Sequence, residues 1–215
     1  MFALSIRDFG VNTEHVFARV VPFEQAEFVS FSETMLKSFS SALLPKDIAL
    51  DQGDRLFNYR LTFGMFNGSV DVGLTSAGLT TAFRNGRNKK ALELIGNSLI
   101  AIDTLVQRYQ IQFRRLTFAA HAQFQKAEEF EAHMGRLADK TRGYSAGGVI
   151  LHSSKNPFKG ELRFSTDKSL VYENALFVSC EFFVSEVFSK DALSKIAKRF
   201  AEVAKDAELD VNVDE

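Results

Sequence analysis

The sequence predicts an α+β fold in which antiparallel sheet packs on long helices. Three observations predict it. Several short runs alternate apolar and polar residues with the period of a strand, two long stretches repeat apolar residues every three or four positions, and turn residues separate the runs.

The first strand is expected over Thr13–Val21, where Val16, Ala18 and Val20 alternate against Phe17 and Arg19. Pro22 ends it, and a helix follows from Phe23 to Leu43. Val29, Leu36 and Leu43 recur at heptad spacing there, and Phe28, Met35, Phe39 and Ala42 widen the stripe. The stretch PKDIALDQGD reads as a loop. Leu56–Phe66 reads as a strand with Phe57, Tyr59, Leu61, Phe63 and Met65 on one face. Asn67-Gly68 then supplies the two positive-φ residues of a type I′ hairpin turn. Val70, Val72 and Leu74 lie on the returning strand, and Leu79–Phe83 completes a three-stranded meander.

A helix is expected from Asn88 to Tyr109, because Leu92, Ile95, Leu99, Ile102, Val106 and Tyr109 follow one another in steps of three and four. Beyond it come a strand over Ile111–Phe124, a helix over Lys126–Asp139 and strands over Ser145–His152, Gly160–Ser165 and Val171–Val184. Ser189 is positioned to cap a last helix that buries Leu193, Ile196, Phe200, Val203 and Ala207. The acidic stretch DAELDVNVDE is expected to fray.

The halves 1–110 and 111–215 thus both read strand, helix, three strands, helix, whether or not they join into one continuous domain. Corresponding helices start about 101 residues apart, and Phe23-Glu-Gln-Ala-Glu-Phe28 echoes Phe124-Gln-Lys-Ala-Glu-Glu-Phe130. An internal duplication is one reading of this pattern. The other is a ferredoxin-like βαββαβ unit over residues 13–124 with the remainder added at its edge. The element order resembles the helix-grip and TATA-binding-protein-like topologies. The likeness is one of order alone, so it implies an arrangement and carries over no functional residue.

Composition narrows the function classes. Lys plus Arg is 26 against 27 for Asp plus Glu, so no excess of positive charge points to nucleic acid or an anionic membrane. No apolar run is long enough for a membrane-spanning helix, and Arg7 and Asp8 interrupt the start where a secretory signal would need its apolar core. Cys180 has no second cysteine to pair with and sits in the apolar run ALFVSCEFFV, which reads as a buried small hydrophobe. A cytoplasmic protein without metal or organic cofactor is expected.

Phenylalanine is the unusual feature, with 22 Phe against 4 Tyr and no Trp. The rings have three readings: a core built from Phe, a cavity for an apolar ligand, or an association surface. Phe57, Tyr59, Phe63, Phe182 and Phe183 are the interface or pocket candidates, and Phe182-Phe183 places aromatics on both faces of one strand.

Candidates for anion binding are Arg84, Arg87, Lys89 and Lys90, which sit with Gly86 where a strand turns into a helix. Arg114 and Arg115 form the other tight basic pair, one on each face of a strand. The phosphate-loop pattern GxxxxGK[ST] is absent. His15, His121, His133 and His152 are scattered and match no metal or catalytic spacing, although His121 and His152 sit in strands that can bring them together. The serines of Ser30–Ser41 read as a polar helix face, since no G-x-S-x-G elbow exists. Tyr144–Gly148 is a glycine-rich lid candidate.

No catalytic residue is assigned, and the expected function is non-enzymatic. The sequence points to a binding or assembly protein that engages another protein chain, its own copy included, through an aromatic-rich sheet face or edge. A helix-grip pocket for an apolar small molecule, with acid–base help from His121 or His152, is the alternative. Nucleic-acid binding is the other, and it requires Arg84, Arg87, Lys89, Arg114 and Arg115 to share one surface.

Overall fold

In a computed structural model of the chain, the described residues are 1–20, 24–38, 48–52, 59–63, 68–72, 76–80, 83–84, 89–107, 109–137, 148–154, 158, 160–184, 188–189 and 191–211, with backbone alone from 48 to 94.

The central element is β1 (Phe2–Phe17), whose inward residues are Leu4 and Ile6 and then Phe9, Val11, Thr13, His15 and Phe17. The change of phase comes from a β-bulge. Opposite β7 (Ile111–Phe124), Ile6 faces Ala122 and Asp8 faces His121, so Arg7 is the extra residue. The strand therefore begins eleven residues before the Thr13 expected from alternation. The bulge lets two apolar sets of opposite parity reach one core, and that same shift hides the first set from a period-two search.

Antiparallel β1 and β7 run side by side through the middle of the sheet. Beyond β1 lie β5 (Ser76–Thr80), β4 (Gly68–Val72), β3 (Tyr59–Phe63) and β2 (Ile48–Gln52). Beyond β7 lie β10 (Ala175–Val184), β9 (Leu162–Lys168) and β8 (Ile150–Ser153). One row of the register crosses the whole path: Leu50, Leu61, Val70, Leu79, Thr13, Leu116, Phe182, Leu162 and Ser153. The second edge of β1 is filled in turn by β11 (Leu209–Val211), which pairs parallel with Phe2–Leu4, by β6 (Phe83–Arg84) and by β5.

The helices are α1 (Gln25–Ser38), α2 (Lys89–Val106), α3 (Ala127–Leu137) and α4 (Ala192–Asp206). Helix α2 buries Ile95, Leu99, Ile102 and Val106, and α4 buries Leu193, Ile196, Phe200 and Val203. Both lie against the face of the sheet that carries Val11, Leu116, Phe118, Val178 and Phe182. Rings fill the seam: Phe118 lies 5.9 Å from Phe9 and 4.8 Å from Phe200, and Phe164 lies 6.2 Å from Phe200. Helix α3 joins the same side through Phe130, whose ring meets Phe124 edge-on at 5.6 Å.

The expected α+β class and the sheet packed on helices are found, and β7 has the expected bounds. Several finer expectations are corrected. The stretch expected as a loop contains β2, which pairs with β3. Gly68 opens β4 opposite Phe63, so the hairpin is not centred on Asn67-Gly68; Asn67 itself lies outside the described residues. After α1 the first half carries β2 to β6 where three strands were expected, so the halves do not match strand for strand. Asp191, not Ser189, occupies the cap position of α4, and the Ser189 hydroxyl donates to the Asp191 carboxylate. Leu209 and Val211 are fully buried in β11, where fraying was expected, because they alternate with Asp210 and fill the edge of β1. No helix among the described residues is long and apolar enough to cross a membrane.

Candidate functional face

With the helices on one side, the other side of β1, β7, β10, β9 and β8 is an open face, and no described helix lies on it. Strand alternation and register fix what it displays. Its middle row is small: Gly10, Ala119, Ser179 and Ser165, where the two serine hydroxyls meet at 3.1 Å. The next row toward one end holds Asp8, His121, Phe177 and Asp167. Toward the other end lie Asn12, Thr117, Glu181 and Arg163, then Glu14, Arg115 and Phe183, then Val16 and Phe113.

At the bulge end the β9–β10 loop folds back onto the face. The Ser169 hydroxyl accepts the N–H groups of Val171 and Tyr172 at 3.2 and 3.0 Å. Its single proton is then directed to His121 Nδ1, 3.0 Å away, which places the ring proton of His121 on Nε2. Tyr172 donates its phenol to Asp8 at 2.6 Å, and its ring meets His121 edge-on at 5.4 Å. Gln123 donates to the Glu173 carbonyl and Phe124 N–H to that of Asn174, whose φ of 52° closes the turn. Ser169 is buried with both lone pairs engaged, so the Ser169–His121 contact holds a loop and presents no nucleophile.

Two ion pairs lie on this face. Arg115 pairs with Glu14 at 2.7 Å and Arg163 with Glu181 at 3.8 Å, while Arg7 donates to the Gln123 side chain at 2.6 Å. Arg114, one residue from Arg115, points to the helix side, where its Nε donates to Asp103 at 3.0 Å. The two arginines therefore do not share a surface. Of the other anion-binding candidates, Arg84 closes β6 opposite Asp8, and Lys89 and Lys90 open α2. Arg87 lies outside the described residues, as does most of the Tyr144–Gly148 segment.

Among the aromatic candidates, Phe182 is wholly buried in the core and Phe183 stands on the open face. Tyr59 and Phe63 bound β3, with their side chains outside the description, and Phe57 lies outside the described residues. Phe113 and Phe177 on the same open face were not among the expected candidates. Alternation signals Phe177, an odd-numbered residue of a strand whose even-numbered residues are apolar, whereas Phe113, flanked by Gln112 and Arg114, is placed only by extending the phase of Leu116, Phe118, Ala120 and Ala122.

His121 and His152 do not meet. Two strands, β10 and β9, separate their strands, a span of roughly 14 Å at about 4.8 Å per strand. Cys180 is buried, and burial pushes its thiol up to about 12. No group of three metal-binding side chains occurs among the described residues.

A second polar cluster lies on the helix side and was not foreseen. Asp103 of α2 accepts from His15 Nε2 at 3.2 Å, from Arg114 Nε and from the backbone N–H of Phe188. Burial opposes its ionisation, but the hydrogen bonds from His15 and Phe188 and the nearby positive charges outweigh it, and the carboxyl is held below its usual range. His15 Nδ1 is buried and without a hydrogen-bond partner. The sequence signal was a lone carboxylate beside the stripe Leu99, Ile102, Val106.

No family model matches the chain, and no curated protein matches it. Among solved structures, the chain resembles part of one described as A. aeolicus tRNASec in complex with M. kandleri SerRS, at 12% identity and a TM-score of 0.33. That likeness covers 94% of this chain and 31% of the other. S. pombe Pct1 RNA triphosphatase is matched at 7% identity and a TM-score of 0.14, over 95% of this chain and 81% of the other. Likenesses at this level show no shared fold. Function is argued from the face alone.

Proposed function

We propose that this chain is a non-enzymatic binding or assembly protein whose open sheet face receives another protein chain. The observation that carries the reading is the set Phe113, Phe177 and Phe183, each 36–40% exposed on one face of the adjacent strands β7 and β10. Burying such rings is worth more to an interface than burying smaller side chains, and aromatic residues are enriched at interface cores. Their placement around a small-residue row leaves room for a partner's side chains.

The paired arginines favour protein over nucleic acid as the partner. A phosphate backbone is held by cations free to neutralise it, whereas Arg115 and Arg163 already face Glu14 and Glu181. The ring-filled seam of Phe118, Phe164, Phe182 and Phe200 favours a surface over an enclosed apolar pocket. The strand order also supports the reading of two related halves. In each, the first strand (β1 or β7) is flanked by the last strand of the following meander (β5 or β10), and β1 and β7 meet at the centre.

The test is native mass spectrometry and sedimentation of the untagged protein beside the variant F113S/F177S/F183S. The expected result is an assembly that the variant loses while its melting temperature stays within a few degrees. An assembly unchanged in the variant, or a wild-type chain that binds no protein, removes the reading.

A further inference from the structure

The loop between β9 and β10 displays Leu170 at 98% exposure and Val171 at 67%, and hydrogen bonds tie down the residues beside them. Ser169, Tyr172, Glu173 and Asn174 are all hydrogen-bonded to one another or to β1, β7 and β10. Two apolar side chains on a fixed turn form a knob whose ordering cost has been met before any partner arrives. The patch of Val16, Phe113 and Phe183 lies at the opposite end of the same face, ~20 Å along β10 from Phe177 at about 3.4 Å per residue.

We infer that the occupant of the open face is a second copy of this chain, in a two-fold dimer that seats the Leu170–Val171 knob of each protomer on the Phe113–Phe183 patch of the other. This rests on the face reading above. A knob and a patch at opposite ends of one surface are self-complementary under a two-fold axis that lies in the interface plane, perpendicular to the strands: the axis turns the two faces toward each other, brings each knob to the other protomer's patch and closes the assembly at two copies. Area agrees with this. Five strands at ~4.8 Å spacing, over ~20 Å of strand plus ~10 Å of loop, give roughly 700 Å² per protomer, close to the ~800 Å² of a standard interface. The Arg115–Glu14 and Arg163–Glu181 pairs add no net charge of their own to repel an identical copy.

Cysteine cross-linking tests the pairing, since Cys180 is buried and silent. L170C and F183C are purified separately, mixed and oxidised mildly, with each also oxidised alone. The pairing predicts a disulfide-linked dimer from the mixture at least tenfold above either variant alone. Equal yields from the variants alone, or none from the mixture, overturn it. Sedimentation of L170S/V171S, with melting to confirm folding, is the second arm, and its dimer is expected to weaken at least tenfold. If F113S/F183S dissociates the protein and L170S/V171S does not, the face reading stands and the knob pairing is overturned. If the chain is a monomer that binds a different protein through Phe183, self-pairing falls and the face reading remains.

Discussion

The carboxylate of Asp103 accepts the backbone N–H of Phe188, tying the middle of α2 to the segment that leads into α4. His15 of β1 and Arg114 of β7 donate to the same carboxylate, so one buried side chain fastens four parts of the fold. Asp103→Ala leaves the Arg114 charge and two N–H donors facing no acceptor. Breaking a buried pair in this way costs about 3–5 kcal/mol. Asp103→Asn recovers little, because one amide oxygen replaces a carboxylate that serves three donors. Urea denaturation measures both, and a loss under ~1 kcal/mol for Asp103→Ala contradicts the latch.

Acid acts on this fold in two windows. Burial lowers the pKa of His133 from its ordinary 6.5, the charge of Arg136 adds to this, and Glu208 opposes it. The unfolded chain therefore binds the proton first, so stability is full above pH 6.5 and declines as pH falls from there toward the folded-state value. Asp103 is also lowered, from 3.8, so its contribution is present above pH 3.8 and is lost as pH falls through its folded-state value. His133→Leu is expected to flatten the first window and leave the second. His133 Nε2 is buried with no hydrogen-bond partner, so the replacement sacrifices no bond there. Melting temperature against pH for both proteins decides it, and identical slopes between pH 5 and 7 contradict the assignment.

Glycine substitutions divide by position. A Cβ on Gly148 would lie 1.5 Å from the Thr166 carbonyl oxygen, so Gly148→Ala must push β8 away from β9. Gly96 in α2 and Gly135 in α3 have nothing within 4 Å of a built Cβ. There, Ala gains about 0.5–1 kcal/mol through helix propensity. Chemical denaturation is expected to rank Gly135→Ala and Gly96→Ala above the natural protein and Gly148→Ala below it.

Ser169→Ala removes the acceptor for two backbone donors at once. Amide exchange at Val171 and Tyr172 should quicken at least tenfold, with a cost of about 1–2 kcal/mol. Tyr172→Phe, which loses only the bond to Asp8, should have the smaller effect. Hydrogen exchange read residue by residue checks this, and unchanged protection at both amides contradicts the loop's dependence on Ser169.

Where a periodic signal runs unbroken, the sequence shows the element. The stripe Ile95, Leu99, Ile102, Val106 and the alternation of β7 are examples. Where geometry changes the phase, it does not: the extra residue Arg7 divides the inward set of β1, so its first eleven residues read as irregular. Short strands such as β2 and β11 are too brief for alternation to register, and their neighbours alone make them strands. Alternation also shows that Arg114 and Arg115, or Phe182 and Phe183, must part. It does not say which face the helices cover, and that choice buries Phe182 and leaves Phe183 outside.

The parallel pair of Phe2–Leu4 with Leu209–Val211 bears on how the chain is made. A ribosome releases the first strand long before its last neighbour exists, so one edge of β1 at Phe2–Leu4 stays open until residue 211 has left the exit tunnel. Backbone groups on a waiting edge are open to pairing with other chains. Closing that edge joins residues 2–4 to residues 209–211, and slow synthesis through α4 would prolong the interval in which nascent chains can pair with one another there.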